Sequence, residues 1–268
     1  MGFFYISLLA IIQGITEFLP VSSSGHLVVV SQIFAQSDHT LDLDISVHFG
    51  TLLAVILYYR KDISALFLGF LDTFKLELDT VNAKFFRLLI TATIPVIFVG
   101  YILKASGVSS ILRSMELVGL TMIAFGFILL YADKYGQKNR DQSSWTHKDA
   151  IIMGLWQSLA LVPGTSRSGA TITSGLILGF SRESSTNLSM LMSIPTILAS
   201  STLLIIDLAN KNISETDFKV FFLATLLSFL SALVALSLLI RFIRNKNFTP
   251  FVIYRVIVGL LILLIAYS

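Results

Sequence analysis

Long apolar stretches bounded by charged residues constrain this chain more than any other feature. Six of them approach the roughly 20 residues needed to cross the hydrocarbon core of a bilayer. Hydrophobic residues make up 55% of the 268 positions and charged residues only 13%, a balance that excludes intrinsic disorder and an ordinary soluble domain. The sequence therefore predicts one all-α integral membrane domain over 1–268, with six transmembrane helices. We place them at 46–60, 87–104, 113–131, 189–209, 218–240 and 250–267.

Two further apolar regions, 3–35 and 150–180, are interrupted near their middle. The interruptions read PVSSSGH at 20–26 and PGTSRSG at 163–169. Proline and glycine end helices, and the backbone groups that this leaves unpaired are tolerated at membrane depth only inside protein or beside water. We therefore predict that each region is a re-entrant helical hairpin.

The basic residues of the loops predict the orientation. Thirteen of the 19 lysines and arginines lie in predicted loops on one side, including the loops at 60–87 and 132–149, and four lie on the other side. The positive-inside rule therefore places the first side in the cytoplasm and both termini outside. Three spans separate the hairpins, and this odd number makes the hairpins enter from opposite sides. The chain thus predicts an inverted-topology repeat of about 1–131 and 150–268, a transporter-like architecture with its site at the repeat interface.

A cluster of polar residues surrounds the first interruption. Glu17 is a carboxylate deep in an apolar stretch, where an ionisable group marks a functional site by default, and Gln13 lies on the same helical face. Serines after a helix break can cap the next helix, whose free N–H groups form an anion site. A hydroxyl or imidazole can also attack phosphorus. The residues that follow the break are Ser22, Ser23, Ser24, Gly25 and His26.

Arg167 is the counterpart in the second interruption. A guanidinium at membrane depth requires a carboxylate or phosphate partner, and it binds either group with a planar fork. The hydroxyls near it belong to Thr165, Ser166 and Ser168. Two helix N-termini, one arginine and many hydroxyls indicate a receptor for a diphosphate. His48 is a weaker candidate for diphosphate binding, and we expect Arg255 to extend toward the cytoplasm.

Three segments together resemble a known family. QGITEFLPVSSSGHL, VHFGTLLAVILYYRKD and VPGTSRSGATI are similar to the signature regions of the undecaprenyl-diphosphate phosphatases, also called bacitracin-resistance proteins. The resemblance extends over the whole chain. It implies hydrolysis of undecaprenyl diphosphate to undecaprenyl phosphate, which recycles the carrier lipid for cell-wall synthesis. It also implies a location in the bacterial plasma (inner) membrane, with an active site that opens to the outer face.

The resemblance further implies a divalent cation, Mg²⁺ or Ca²⁺. The family's acidic motif is E/Q-x-x-x-E, here Gln13 and Glu17, so these two are the candidate metal ligands. Diphosphate oxygens would supply most of the remaining ligands. The expected partners are a polyprenyl diphosphate lipid and the bilayer, without nucleic acid. The sequence leaves homo-oligomerisation open.

Several alternatives remain at this level. Glu17, Ser23, His26 and Arg167 are the candidate catalytic residues, but serine, histidine and water all remain candidate nucleophiles. A transporter or flippase of an anionic lipid would share the inverted repeat and the anion site. Such a carrier would need no base or nucleophile, so the Glu–Ser–His cluster favours the hydrolase. The absence of cysteine excludes a thiolate nucleophile.

Overall fold

The computed structural model describes residues 2–34, 41–107, 112, 114–208 and 215–267, and this part of the chain folds into α-helices without a β-strand. One 3₁₀ turn, Gln142–Ser144, precedes the seventh helix. The helices are α1 (Phe3–Phe18), α2 (Ser23–Ile33), α3 (Leu41–Tyr58), α4 (Arg60–Phe74), α5 (Val81–Ser106), α6 (Met115–Tyr135), α7 (His147–Leu159), α8 (Arg167–Ile177), α9 (Arg182–Leu208), α10 (Glu215–Ile243) and α11 (Thr249–Tyr267).

Four of these helices are long and apolar enough to cross a membrane. They are α5, α6, α10 from Phe218 onward, and α11, and the shortest has 19 residues, roughly 29 Å at 1.5 Å per residue. Large apolar side chains on them face outward, including Phe98, Phe127, Leu238 and Leu260. A soluble protein would not expose such a surface, which lipid covers. The protein is thus an all-helical membrane protein, and these helices coincide with four of the six predicted spans.

The other two predicted spans, 46–60 and 189–209, largely overlap α3 and α9. Both helices are longer than predicted, because α3 begins at Leu41 and α9 at Arg182. They pack against each other, and α3 also packs along α1 and α10. The interior position of α3 and α9 explains why they contain more polar residues than the four lipid-facing helices.

The segment 60–87 was predicted as a loop, and the structure corrects this. Residues Arg60–Phe74 form α4, with Asp62 in its first turn, and α4 packs against α5. Its outward face carries Phe67, Leu68 and Phe74. The charged residues at its start and the connection after it gave the segment the composition of a loop.

Each predicted hairpin is a pair of helices with a short non-helical segment between them. We call residues 19–22, between α1 and α2, the first break, and residues 160–166, between α7 and α8, the second break. A glycine about one and a half turns before each break allows the helix to approach a neighbour closely. A Cβ at Gly14 would lie 2.5 Å from the Ser228 carbonyl oxygen of α10, and one at Gly154 would lie 2.4 Å from the Ala92 carbonyl oxygen of α5.

Two buried carboxylates hold the connections outside the long apolar helices. Asp133 at the end of α6 accepts from Arg182 and from the Phe248 backbone N–H. Asp149, in the first turn of α7, forms a two-pronged ion pair with Arg140, at 2.7 and 3.1 Å. Burial alone would raise the pKa of Asp149, but hydrogen bonds from Arg140 and Thr146 outweigh it and lower that pKa below its ordinary value.

Candidate active site

The two breaks contain the same local turn. Ser22 and Ser166 both have a positive φ, 74° and 71°, and each is the N-cap of the following helix. The Ser22 Oγ accepts from the Gly25 N–H at 3.3 Å, and the Ser166 Oγ accepts from the Gly169 N–H at 3.1 Å. Two helices therefore begin with capped, partly unpaired N–H groups, and such a terminus favours an anion.

The two breaks also contact each other. The Gly164 N–H in the second break donates to Ser24 Oγ at 3.4 Å. In the opposite direction, the Ser168 Oγ of α8 donates to the Leu19 carbonyl of the first break at 2.9 Å. The N-termini of α2 and α8 are thereby held together, as the sequence predicted from their two motifs.

Glu17 is the centre of the site and joins the two hairpins. Its Oε1 accepts from the Arg167 guanidinium at 2.9 Å, and its Oε2 accepts from Gln13 Nε2 at 2.8 Å and from Ser23 Oγ at 3.0 Å. Both ionic side chains are mostly buried, with exposed fractions of 7% for Glu17 and 13% for Arg167. A hydroxyl, a carboxylate and a guanidinium thus form one connected set.

Arg167 has a second partner on α9, which the sequence analysis did not identify. Its guanidinium donates to the Ser189 carbonyl at 3.1 Å, and the Ser189 Oγ lies 2.6 Å from Thr171 Oγ1. The residue therefore bridges α1 and α9 from the first position of α8. Ser189 has no motif or charge that marks it in the sequence.

His26 is held by two partners other than Glu17. Its Nδ1 lies 2.7 Å from the Ser22 carbonyl oxygen, which can only accept, so Nδ1 carries the proton. The Nε2 of the neutral ring then accepts from the Tyr254 hydroxyl at 2.7 Å, and the two rings stack with an interplanar angle of 7°. Tyr254 was missed because a tyrosine near the start of an apolar helix resembles an interfacial residue.

The remaining predicted residues divide into two groups. Ser22, Ser24, Gly25, Thr165, Ser166 and Ser168 lie in the breaks or in the first turn of the helix that follows, and Gln13 lies on α1 six residues before the first break. Among the described residues, the buried Thr165 hydroxyl has no hydrogen-bond partner. His48 lies on α3, where its Nδ1 donates to the Asp44 carbonyl at 2.7 Å. Within the described residues, no hydrogen bond links His48 to the Glu17 cluster.

Arg255 does not extend toward the cytoplasm, so that prediction was wrong. The side chain is completely buried and forms its hydrogen bonds with backbone carbonyls inside the protein. Snorkelling was the expected behaviour of an arginine near a helix end, but the carbonyls that the two breaks leave unpaired provide closer partners.

The described residues do not by themselves form a metal site. No group of three or more histidine, aspartate or glutamate side chains lies close together in this part of the chain. Both oxygens of Glu17 already accept hydrogen bonds, and Gln13 Oε1 is the buried oxygen beside it without a partner. The Gln13–Glu17 pair therefore does not suffice to hold a cation without ligands from a substrate.

The fold and the site define the class of protein. It is a helical membrane protein in which two interrupted hairpins enclose a buried cluster of a carboxylate, a guanidinium and a hydroxyl group. The family follows from comparison, because residues 6–261 match the model of the bacitracin resistance protein BacA, and the chain belongs to that family. The chain is 48% identical to the undecaprenyl-diphosphatase of Roseobacter denitrificans and 46% identical to that of Dinoroseobacter shibae. Both alignments cover the full length of both chains.

Proposed function

We propose that this protein hydrolyses undecaprenyl diphosphate to undecaprenyl phosphate and inorganic phosphate, and so recycles the carrier lipid of bacterial cell-wall synthesis. One observation carries the proposal: Ser23, Glu17 and Arg167 are hydrogen-bonded to one another where the N-termini of α2 and α8 meet. The full-length relatives named undecaprenyl-diphosphatase support the same activity.

The geometry favours Ser23 as the nucleophile. Its hydroxyl donates to Glu17 at 3.0 Å, so the carboxylate can take the proton as the serine oxygen attacks the terminal phosphorus. The bond from that phosphorus to the bridging oxygen breaks, and undecaprenyl phosphate leaves. Water then hydrolyses the phosphoserine, which releases phosphate and restores the serine hydroxyl.

Arg167 has two successive roles in this proposal. In the structure its guanidinium is paired with Glu17, and this positive charge makes the carboxylate a weak base. A diphosphate offers the guanidinium a stronger partner in the same planar geometry. When Arg167 turns to the phosphate, Glu17 loses its counterion and becomes a better acceptor for the serine proton.

His26 is the less favourable nucleophile. The lone pair of its Nε2, which would have to attack phosphorus, accepts from Tyr254, and Nδ1 is protonated toward Ser22. We propose that His26 contributes by orienting the first turn of α2, and that its Nε2, once released by Tyr254, accepts a proton from the water that hydrolyses the phosphoserine.

The membrane arrangement is part of the proposal. We propose six transmembrane helices and two re-entrant hairpins in an inverted repeat, with the site open to the outer face of the plasma membrane. The matched turns at Ser22 and Ser166, and the pairing of α1 with α10 and of α7 with α5, support the repeat. The distribution of basic residues supports the orientation.

The substrate is proposed to be a lipid because an open, apolar groove of about 590 Å³ is lined by side chains of α5 and α7 and by Leu161 and Val162 of the second break. An isoprenoid chain is apolar along its length and fits such walls.

We further propose that a divalent cation arrives bound to the diphosphate oxygens, since the described residues do not hold one alone.

The deciding experiment is phosphate release from undecaprenyl diphosphate by the purified protein in detergent, with Ser23→Ala as the matched variant. The wild type should release phosphate and form an acid-stable phosphoserine at Ser23, and the variant should do neither. Inorganic pyrophosphate should be a poor substrate because it lacks the chain. No release by a folded wild type would refute the function, and a phosphohistidine at His26 would refute the assignment of the nucleophile.

A further inference from the structure

Arg255 is a buried cation whose hydrogen bonds all end on neutral backbone oxygens. The side chain lies in α11 with an exposed fraction of 0%. It donates five hydrogen bonds, and within the described residues none of them reaches a carboxylate. The acceptors are the carbonyls of Met122 at 3.0 Å, Pro20 at 3.4 Å, Thr121 at 3.5 Å, Gly164 at 3.1 Å and Thr165 at 2.9 Å.

These carbonyls belong to three separate parts of the chain. Pro20 is in the first break, and Gly164 and Thr165 are in the second break. The other two acceptors lie on α6. An interrupted helix leaves carbonyls without intrahelical partners, and an unsatisfied carbonyl in hydrocarbon costs several kcal/mol. One guanidinium therefore satisfies carbonyls of both breaks and ties both breaks to α6.

The surroundings of Arg255 are shaped to admit the guanidinium. A Cβ at Gly169, in the first turn of α8, would lie 2.8 Å from the Arg255 Nη1, so a larger residue there would displace it. Thr121 adds a second anchor of the same kind, because its hydroxyl donates to the Pro163 carbonyl at 2.7 Å. Arg255 and Thr121 thus fix consecutive peptide groups of the second break against α6 and α11.

We propose that Arg255 is a positioning residue that sets the relative placement of the two breaks, and through them the alignment of Ser23 and Arg167 on the diphosphate. The inference rests on the proposed function for its kinetic consequence, although its structural consequence can be measured without substrate. Its fixed charge is not neutralised by a carboxylate in the described chain. The charge therefore adds positive potential behind both helix N-termini, where the phosphate groups bind.

A lysine at this position would keep the charge but lose the geometry. An ammonium group has three hydrogens around one atom, whereas the guanidinium presents five N–H groups in a plane. Arg255→Lys can reach one break or the other, but it does not span both. A misplacement of about 1 Å at a reacting centre can cost on the order of 100-fold in rate.

The test compares Arg255→Lys with Arg241→Lys, a control at an exposed arginine on α10. We expect kcat per folded molecule to fall about 100-fold in Arg255→Lys, with KM within about 3-fold of wild type, and both to stay unchanged in the control. Thr121→Val should lower kcat in the same pattern by a smaller factor. A lower melting temperature with unchanged kcat would assign Arg255 a purely structural role and overturn the proposal, as would a raised KM at unchanged kcat. Unchanged kcat in Thr121→Val would overturn it even if Arg255→Lys does not fold.

A distance measurement separates this inference from the proposed function. The chain has no cysteine, so spin labels attach only at introduced ones. We place them at two exposed positions, Ile15, about one turn before the first break, and Leu159, the residue directly before the second break. The wild type should give one narrow distance distribution, and Arg255→Lys should give a broader or shifted one. If wild type releases no phosphate, the proposed function fails while this measurement still decides the role of Arg255. An unchanged distribution in a folded Arg255→Lys protein overturns that role.

Discussion

Replacement of Glu17 by glutamine tests the chemistry most directly, because it removes the proposed base and preserves the shape of the side chain. Glu17 accepts from Arg167, Gln13 and Ser23. The new amide still offers an oxygen to Arg167. Its NH₂ group would face the Gln13 NH₂, but Gln13 can rotate its amide, because no described residue bonds to its Oε1. The site should therefore stay assembled.

The expected loss of rate in Glu17→Gln is at least about 100-fold, the lower range for removing an acid–base group. That factor corresponds to about 2.7 kcal/mol of transition-state stabilisation. Diphosphate binding should not weaken, because Arg167 no longer has to leave a carboxylate before it binds phosphate.

The folded protein should also become less stable without substrate. Removal of one partner from a buried ion pair costs about 3–5 kcal/mol. The loss here should lie near the lower end of that range, because the new amide oxygen can still accept from Arg167. A diphosphate that replaces the lost partner should recover about 2.7 kcal/mol at 100 times its dissociation constant.

The assay combines phosphate release with melting temperatures, measured with and without methylenediphosphonate, a non-hydrolysable diphosphate. Glu77→Gln, at an exposed carboxylate, is the matched control. We expect the diphosphonate to raise the melting temperature of Glu17→Gln more than that of wild type. A rate within about 3-fold of wild type would refute the assignment of Glu17 as the base. If Glu17→Gln is slow and also fails to bind the diphosphonate, Glu17 is needed for the structure of the binding site and not specifically as the base.

Four further results are expected. His26→Ala should also lose at least about 100-fold in rate, and its combination with Glu17→Gln should cost far less than the product of the two losses, because residues acting as a unit are non-additive; a full product would mean that they act independently. Arg167→Lys should lose most activity while the protein folds, since an ammonium lacks the planar fork; near-normal turnover would make Arg167 structural. Stability from Asp149 is present above about pH 4 and is lost as pH falls through the lowered folded pKa, so Asp149→Asn should flatten the acid limb of unfolding; an unchanged limb contradicts the ion pair. In intact cells, a membrane-impermeant thiol reagent should label the single-cysteine variant Ser106→Cys but neither Gln137→Cys nor Asn245→Cys; any other pattern contradicts the orientation.

The sequence was sufficient to predict the two breaks and the residues that meet there. Proline, glycine and serine inside apolar stretches are rare enough to mark interruptions, and an ionisable residue in such a stretch requires a partner. Glu17 and Arg167 were the candidates of opposite charge, and the structure pairs them at 2.9 Å. The same reasoning predicted that Gln13, Ser23 and the capping serines belong to the site, because all of them lie within a few residues of a break.

The sequence was insufficient where contacts depend on distant segments. Arg255 lies about one and a half turns after the start of α11 and has the pattern of an interfacial residue, and only the fold shows that both breaks reach it. Tyr254 and Ser189 have the same limitation, since each contacts a residue more than 20 positions away. Helix α4 was missed for a different reason: its charged start hid a helix that packs on α5.

The matched turns explain how one local structure can provide two different chemical groups. Ser22 and Ser166 have similar φ values and cap their helices in the same way, so the next residue is the first of α2 in one hairpin and of α8 in the other. That residue is Ser23 in the first hairpin and Arg167 in the second, and both donate to Glu17. In the proposed reaction the first supplies the attacking oxygen and the second supplies the positive charge. Exchange of these two side chains would keep both groups at helix N-termini but would move the hydroxyl to the position that now contacts Oε1. The double variant Ser23→Arg, Arg167→Ser should therefore fold but be inactive, because the attacking oxygen must lie in line with the leaving oxygen while the guanidinium binds the non-bridging oxygens.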